Sequence, residues 1–156
     1  MLGHWNVASS EPVIRQYDQT VMGSTVVHPY GGKYGDMPND GSVVMPLRNR
    51  IPGNRAGFVR ANAVNPAVMQ LDPYNGAIGT TAEAIARFVA MGGDPTNEGE
   101  SGMALMNNYS CSTADQHQFG AVSLAVDGVN TAQQAFKAPV ASGKDSTNMT
   151  HEGLHA

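Results

Sequence analysis

Three groups of polar residues in this chain have types and spacings that would support chemistry. The first, His151-Glu152-Gly153-Leu154-His155, fits the pattern H-E-x-x-H, in which two histidines on one helix face bind zinc and the glutamate acts as a general base. Here the motif contains a glycine and lies at the C-terminal end of the sequence, where a frayed turn would hold a metal poorly. We therefore interpret residues 151–156 as a flexible polar tail and expect no zinc.

The second group is Ser142-Gly143-Lys144-Asp145-Ser146, which follows a predicted strand. A glycine allows the backbone to approach a phosphate closely, and the lysine adds positive charge. The segment is not a nucleotide-binding P-loop, because the first glycine of the pattern G-x-x-x-x-G-K is absent. A phosphate-binding segment and an ordinary turn both fit these residues.

The third group consists of two acidic residues, Asp40 and Glu83. Asp40 ends a glycine-rich loop just before a predicted strand, and Glu83 lies in the first turns of a predicted helix. Carboxylates delivered from a loop and a helix are suited to hold magnesium beside a nucleotide. The alternative is a capping aspartate and a solvent-exposed glutamate.

The composition and net charge of the chain exclude several classes of protein. The chain has 156 residues, of which 41% are hydrophobic and only 14% are charged. Since charge is well below the usual level of about 25%, we expect a partner to cover part of the surface. The net charge of −4 argues against nucleic-acid binding, and no apolar run reaches the roughly 18 residues of a membrane helix. The single Cys111 and the absence of a signal-peptide pattern indicate a cytoplasmic location.

The pattern of apolar residues predicts a single α+β domain over residues 1–150. Helical spacing indicates amphipathic helices at about 77–91, ended by Gly92-Gly93, and at about 115–137. We expect a mixed sheet of about four to five strands with these two main helices on one face. The remaining chain is predicted as a loop at 28–41 and as strands or extended segments at 20–27, 42–47, 57–63, 67–71, 101–107 and 138–141.

Nine segments, taken in chain order, resemble phosphoribosylformylglycinamidine synthase, the purine-pathway ligase. The resemblance runs over about residues 6–149 and is to the N-terminal subdomain of the second half of that enzyme, in the superfamily that includes aminoimidazole ribonucleotide synthetase. The segments are Asn6-Val-Ala-Ser9; Ile14-Arg-Gln-Tyr-Asp18 with Val21 and Gly23; Asn39-Asp-Gly41; Asn65-Pro66; Asp72-Pro-Tyr74; Ala82-Glu-Ala84; Gly92 with Asp94-Pro95; Asn108-Tyr109; and Ser142-Gly-Lys-Asp-Ser146.

The resemblance implies a fold, a reaction and partners. Such subdomains pair through their sheets into a closed barrel of about eight strands, which would cover the open sheet face with a second copy or a related synthase subunit. Family members bind ATP and magnesium here, and the enzyme uses ATP and glutamine-derived ammonia to form a C–N bond. Its catalytic site lies mainly in the first half, and the second half carries an auxiliary nucleotide site.

Carried over residue by residue, Asp40 and Glu83 match magnesium ligands of the family. The asparagine ligand one helical turn after that glutamate is Arg87 here, and the lysine that faces the nucleotide phosphates is Ser10. The remaining residues predicted to bind ATP or ADP are Asp18, Asn108, Gly143, Lys144, Asp145 and Ser146.

These departures lead to a hypothesis about the auxiliary site. Glu83 and Arg87 have the i,i+4 spacing of a helical ion pair, so the guanidinium of Arg87 would replace magnesium and leave a degenerate site. We therefore expect an assembly or auxiliary nucleotide-binding half of an ATP-dependent ligase, with catalysis on another chain. The alternatives are a non-catalytic homo-oligomeric scaffold and a stand-alone nucleotide-binding regulator.

Overall fold

The computed structural model divides the chain into two compact units, Met1–Arg60 and Ala61–Ala156. Below, they are unit 1 and unit 2. The residues described are 2–4, 7–18, 20–54, 56–96, 102–112, 116–147, 150–151 and 154–155, the last two pairs by their backbone alone. Glu152 and Gly153 of the H-E-x-x-H motif, and Asn6 of the first synthase-like segment, lie outside them. The single domain over 1–150 and the flexible tail stay predictions.

Unit 1 consists of short elements joined by turns. Its helix α1 has one turn, and two three-residue 3₁₀ turns occur at Val21–Gly23 and Leu47–Asn49. Three strands form one sheet in the order β1-β4-β5, and β2 pairs antiparallel with β3 in a separate hairpin. The bounds are α1 Glu11–Ile14, β1 Thr25–Val27, β2 Tyr30–Gly31, β3 Met37–Pro38, β4 Gly41–Val44 and β5 Phe58–Ala61.

Several strand predictions in unit 1 were too long. The strand expected at 20–27 begins only at Thr25, because Met22 and Gly23 have positive φ angles of 64° and 56° and form a turn instead. The strand expected at 42–47 ends at Val44. The loop expected at 28–41 contains the β2–β3 hairpin, whose short strands carry too few residues to show an alternating pattern.

Unit 2 is built from longer helices and a parallel strand pair. The order is α2 Pro66–Leu71, α3 Pro73–Ala90, β6 Leu105–Ser110, α4 Gln116–Ala135 and β7 Val140–Ser146, followed by the short antiparallel pair β8 Thr150–His151 and β9 Leu154–His155. The two main helices predicted from apolar spacing are confirmed as α3 and α4. Gly92, with φ of 88°, ends the first of them as expected.

The extended segment predicted at 67–71 was wrong, because α2 occupies it. The side chain of Asn65 accepts a hydrogen bond from the backbone N–H of Val68, and Pro66 stands at the first helical position. An asparagine N-cap followed by proline is a helix start as well as a turn signal. The next helix begins in the same way, with Asp72 as N-cap and Pro73 behind it.

The core of unit 2 lies between its helices and its strands. A buried cluster joins Ile85 of α3 to Met103 and Ala138, and Leu105 of β6 packs against it. Helices α3 and α4 approach closely because small residues line their contact. At this contact a Cβ on Gly128 of α4 would lie 3.0 Å from Ala77 Cβ of α3. The other small buried residues of the two helices are Gly76 and Thr81 on α3 and Ala125 and Ala132 on α4.

The mixed α/β character is therefore confirmed, but one expectation about the sheet was wrong. Within the described ranges, the strands form several small sheets and not one mixed sheet of four to five strands, since the pairings β4–β5 and β6–β7 belong to different sheets. A search of the described helices finds no segment long and apolar enough to span a bilayer.

Candidate functional site

The Ser142-Gly143-Lys144-Asp145-Ser146 segment lies in strand β7 and not in a turn after it. Strand β7 pairs in parallel with β6, with Asn108 opposite Lys144 and Tyr109 opposite Asp145. Helix α4 provides the connection that two parallel strands require. The correction has a physical cause: the partner strand lies more than 30 residues away in sequence, so the local pattern of glycine and polar residues did not reveal it.

Alternation along the two strands divides the predicted nucleotide-binding residues between two faces. Asn108, Lys144 and Ser146 lie on one face, where Asn108 and Lys144 are exposed and Ser146 is half-buried. We call these three residues the outer face. Lys144 Nζ donates a hydrogen bond to Ser146 Oγ. An ammonium, a hydroxyl and an amide grouped in this way present donors to an anion.

The opposite face of the same strands holds Asp145 with Tyr109. Asn107 Nδ2 lies 3.5 Å from the Tyr109 hydroxyl oxygen, to which it donates a hydrogen bond. Burial, and then the negative charge of Asp145, raise the pKa of Tyr109 above its ordinary value. Asp145 therefore faces a neutral phenol and is separated from Lys144 by the sheet. The sequence analysis did not predict a role for Asn107. Its i,i+2 spacing from Tyr109 could have indicated that the two side chains share one face of a strand.

Glu83 and Arg87 form the ion pair that their spacing indicated. Arg87 Nη2 lies 2.5 Å from Glu83 Oε1, and both side chains are 38% exposed. The other guanidinium nitrogen, Nη1, donates to the backbone oxygen of Asn62 at 3.0 Å. The Arg87 guanidinium thus binds the Glu83 carboxylate and also links α3 to the segment before α2. The second contact, with Asn62, spans 25 residues and could not be predicted from helical spacing.

The remaining predicted site residues lie in unit 1. Ser10 is the N-cap of α1 but makes no side-chain cap hydrogen bond. Asp18 and Asp40 are exposed, and Asp40 directly precedes β4. Asp40 and Glu83 belong to different units, so a shared magnesium site stays a prediction. Among the residues with described positions, no three His, Cys, Asp or Glu side chains come together as a metal-binding group.

Comparison with solved structures defines the type of fold. Thermotoga maritima PurL complexed with AMPPCP matches 98% of this chain with a TM-score of 0.69 at 20% identity, and the chain covers 23% of it. A structure of PurLQS from the same organism matches 95% of this chain with a TM-score of 0.68 at 21% identity, with 22% of that chain covered. The fold is therefore that of a segment of PurL.

Comparison of the amino-acid sequence also identifies PurL proteins as relatives of this chain. PurL, the phosphoribosylformylglycinamidine synthase subunit, from Deinococcus radiodurans is 30% identical over 99% of this chain. PurL from Thermoplasma volcanium is 36% identical over 54% of it. This chain is thus PurL-like, and the predicted resemblance is confirmed. It spans only 18% and 11% of the lengths of these two relatives. No protein-family model matches the chain.

Proposed function

We propose that this chain is the auxiliary nucleotide-binding or assembly part of an ATP-dependent purine-biosynthesis ligase and is not catalytic alone. The observation that carries the proposal is similarity along 99% of the chain to a stretch equal to 18% of the Deinococcus PurL. The ATP- and glutamine-dependent formation of a C–N bond would then need residues on another chain. The expected location is cytoplasmic.

We place nucleotide phosphates at the outer face. In its support, Lys144, Ser146 and Asn108 offer donors from neighbouring strands, and a PurL of the same fold has been solved with AMPPCP, an ATP analogue. A single ammonium provides little charge for a triphosphate, so we expect weak binding of ATP or ADP.

We further infer that Arg87 takes the place of a magnesium ion. Its guanidinium already neutralises Glu83 at 2.5 Å, and the contact with Asn62 holds it in place. A cation competing for Glu83 would have to displace this charge-assisted hydrogen bond. The auxiliary site would then bind nucleotide without depending on magnesium.

Calorimetric titration with ADP, with and without magnesium, tests both statements. We expect weak binding by the wild type that magnesium does not change, a loss of binding in Lys144→Met, and no loss in the control Lys33→Met in unit 1. The pair of substitutions Arg87→Asn and Ser10→Lys should strengthen binding and make it magnesium-dependent. Micromolar, magnesium-dependent binding by the wild type would refute the replacement of magnesium by Arg87, and an unchanged double variant would count against it.

The assembly role rests on the surface of unit 1. None of its described residues is buried. Large apolar side chains, such as Tyr17, Met22 and Phe58, are 62–73% exposed. A unit of about 60 residues needs a buried core or a covering partner to be stable. We propose that a second copy or a related synthase subunit covers it, with the sheets pairing into a barrel.

Molar-mass measurement in solution, together with a pull-down from the source cell, tests the assembly role. Recovery of a large synthase or glutaminase subunit would support the role as part of a ligase. Recovery of the chain with itself alone, without ATP turnover, would support the homo-oligomeric scaffold, a second function that the Glu83–Arg87 ion pair favours. A strict monomer would contradict both forms of assembly.

A further inference from the structure

The β2–β3 hairpin of unit 1, residues 30–38 with the turn at 32–36, is held by polar contacts. Two glycines of the turn, Gly32 and Gly35, have positive φ angles of 79° and 64°, which few other residues adopt without strain. Because no described residue of unit 1 is buried, apolar packing contributes little to fixing this segment. An ordered conformation here therefore depends on the backbone hydrogen bonds of the hairpin and on specific side-chain contacts to it.

Arg15 supplies three of these contacts. Its Nε donates to Glu11 Oε1 at 2.6 Å, and its Nη2 donates to the backbone oxygen of Gly35. Its guanidinium carbon also lies 4.6 Å from the centre of the Tyr30 ring. The planar guanidinium can bind a carboxylate, a carbonyl oxygen and an aromatic face together, which a lysine ammonium does less well. One side chain thus joins α1, strand β2 and the turn.

We propose that Arg15 is a positioning residue that orders the hairpin of residues 30–38 and thereby fixes Asp40, two residues after its end. A second contact acts at the end of the hairpin, where Asn39 Nδ2 donates to the backbone oxygen of His28 at 2.7 Å. With the turn held by Arg15 and the hairpin closed by Asn39, the chain enters β4 in one conformation.

Proteolysis with an enzyme that cleaves after lysine tests the ordering within a single digest. The chain has three lysines, of which Lys33 lies in the turn and Lys137 and Lys144 lie in unit 2. Arg15→Gln should raise the cleavage rate at Lys33 about fivefold, because local opening exposes the turn, and should leave the other two rates unchanged. Tyr30→Leu, which removes only the ring contact, should give a smaller increase.

The matched control is Arg48→Gln, which removes an exposed arginine of the same unit and should leave the rate at Lys33 unchanged. Two results would overturn the proposal. An unchanged rate at Lys33 in Arg15→Gln would mean that the turn is ordered without this side chain. An equal increase at all three lysines would mean that Arg15 supports the whole fold and not this segment.

Discussion

Replacing Gly128 with alanine should destabilise unit 2, whereas the same replacement at Gly120 should stabilise it. Both glycines lie on α4, but their surroundings differ. A Cβ at Gly128 would lie 2.3 Å from the backbone oxygen of Tyr74 and 3.0 Å from Ala77 Cβ, while a Cβ at Gly120 would have no atom within 4 Å. The pair therefore separates the cost of close helix packing from the helix propensity of alanine.

The magnitudes follow from these distances. In an exposed helical position, alanine is favoured over glycine by about 1 kcal/mol, which is the gain expected for Gly120→Ala. At Gly128 the contact is with backbone, so relief requires α3 and α4 to separate, and overpacking of this kind costs about 3 kcal/mol. After the helix-propensity gain, Gly128→Ala should lose about 2 kcal/mol, so the two variants should differ by about 3 kcal/mol.

Urea unfolding followed by far-ultraviolet circular dichroism measures the difference. With an m-value of about 2 kcal/mol/M, the midpoints of the two variants should lie about 1.5 M apart, on opposite sides of the wild type. A midpoint for Gly128→Ala at or above that of Gly120→Ala would refute the close approach of the two helices. It would also remove the reason for the small residues at their contact.

Three further predictions concern single side chains in unit 2. Hydrogen bonds from the Asn75 side chain and then its backbone hold the pKa of Asp72 below its ordinary value. The stabilisation of α3 by the Asp72 carboxylate should therefore be complete above about pH 4 and be lost as the pH falls through the lower pKa of the folded state. Asp72→Asn should abolish this acid dependence in unfolding curves. Tyr109 should titrate above the ordinary tyrosine value when ionisation is followed by ultraviolet absorbance, and Asp145→Asn should remove only part of the upward shift, because burial is the larger cause. Asn65→Ala should cost about 1 kcal/mol in urea unfolding through loss of the N-cap of α2, and an unchanged midpoint would contradict that role.

The long elements of the fold could be predicted because their signals are local. Helices α3 and α4 repeat apolar residues over several turns, and Gly92 ends the first of them, so spacing alone located both. The strands were harder to place, since a strand is defined by its partner. The parallel pairing of β6 with β7 crosses the whole of α4, and no local pattern marked residues 142–146 as a strand.

The candidate site divides in the same way between local and distant contacts. The i,i+4 spacing of Glu83 and Arg87 was enough to predict their ion pair. The contact of Arg87 with Asn62 and the contacts of Arg15 with residues 30 and 35 depend on how the chain turns back on itself. That Lys144 and Asp145 lie on opposite faces could be inferred only once residues 142–146 were known to form a strand.

Several segments that resemble the synthase have structural roles in this chain, and this bears on what the resemblance means. Asn65 and Asp72 cap helices, and the Tyr74 hydroxyl shares a hydrogen bond with Thr131 Oγ1 of α4 at 3.0 Å. Asn39 holds the end of the β2–β3 hairpin. None of these contacts requires a ligand, so a chain that had lost nucleotide binding would still need these residues to fold.

Ser10 and Arg87 are the two positions at which this chain departs from the ligand residues that the resemblance predicts. Ser10 makes no side-chain cap hydrogen bond, and Arg87 pairs with Glu83, the carboxylate that we propose as the former cation ligand. Loss of the predicted ligand residues, beside retained residues that cap helices and hold a hairpin, is what a scaffold that has lost its chemistry would show. The similarity therefore supports the fold more strongly than the binding of nucleotide, and the response of ADP binding to Arg87→Asn with Ser10→Lys separates the two.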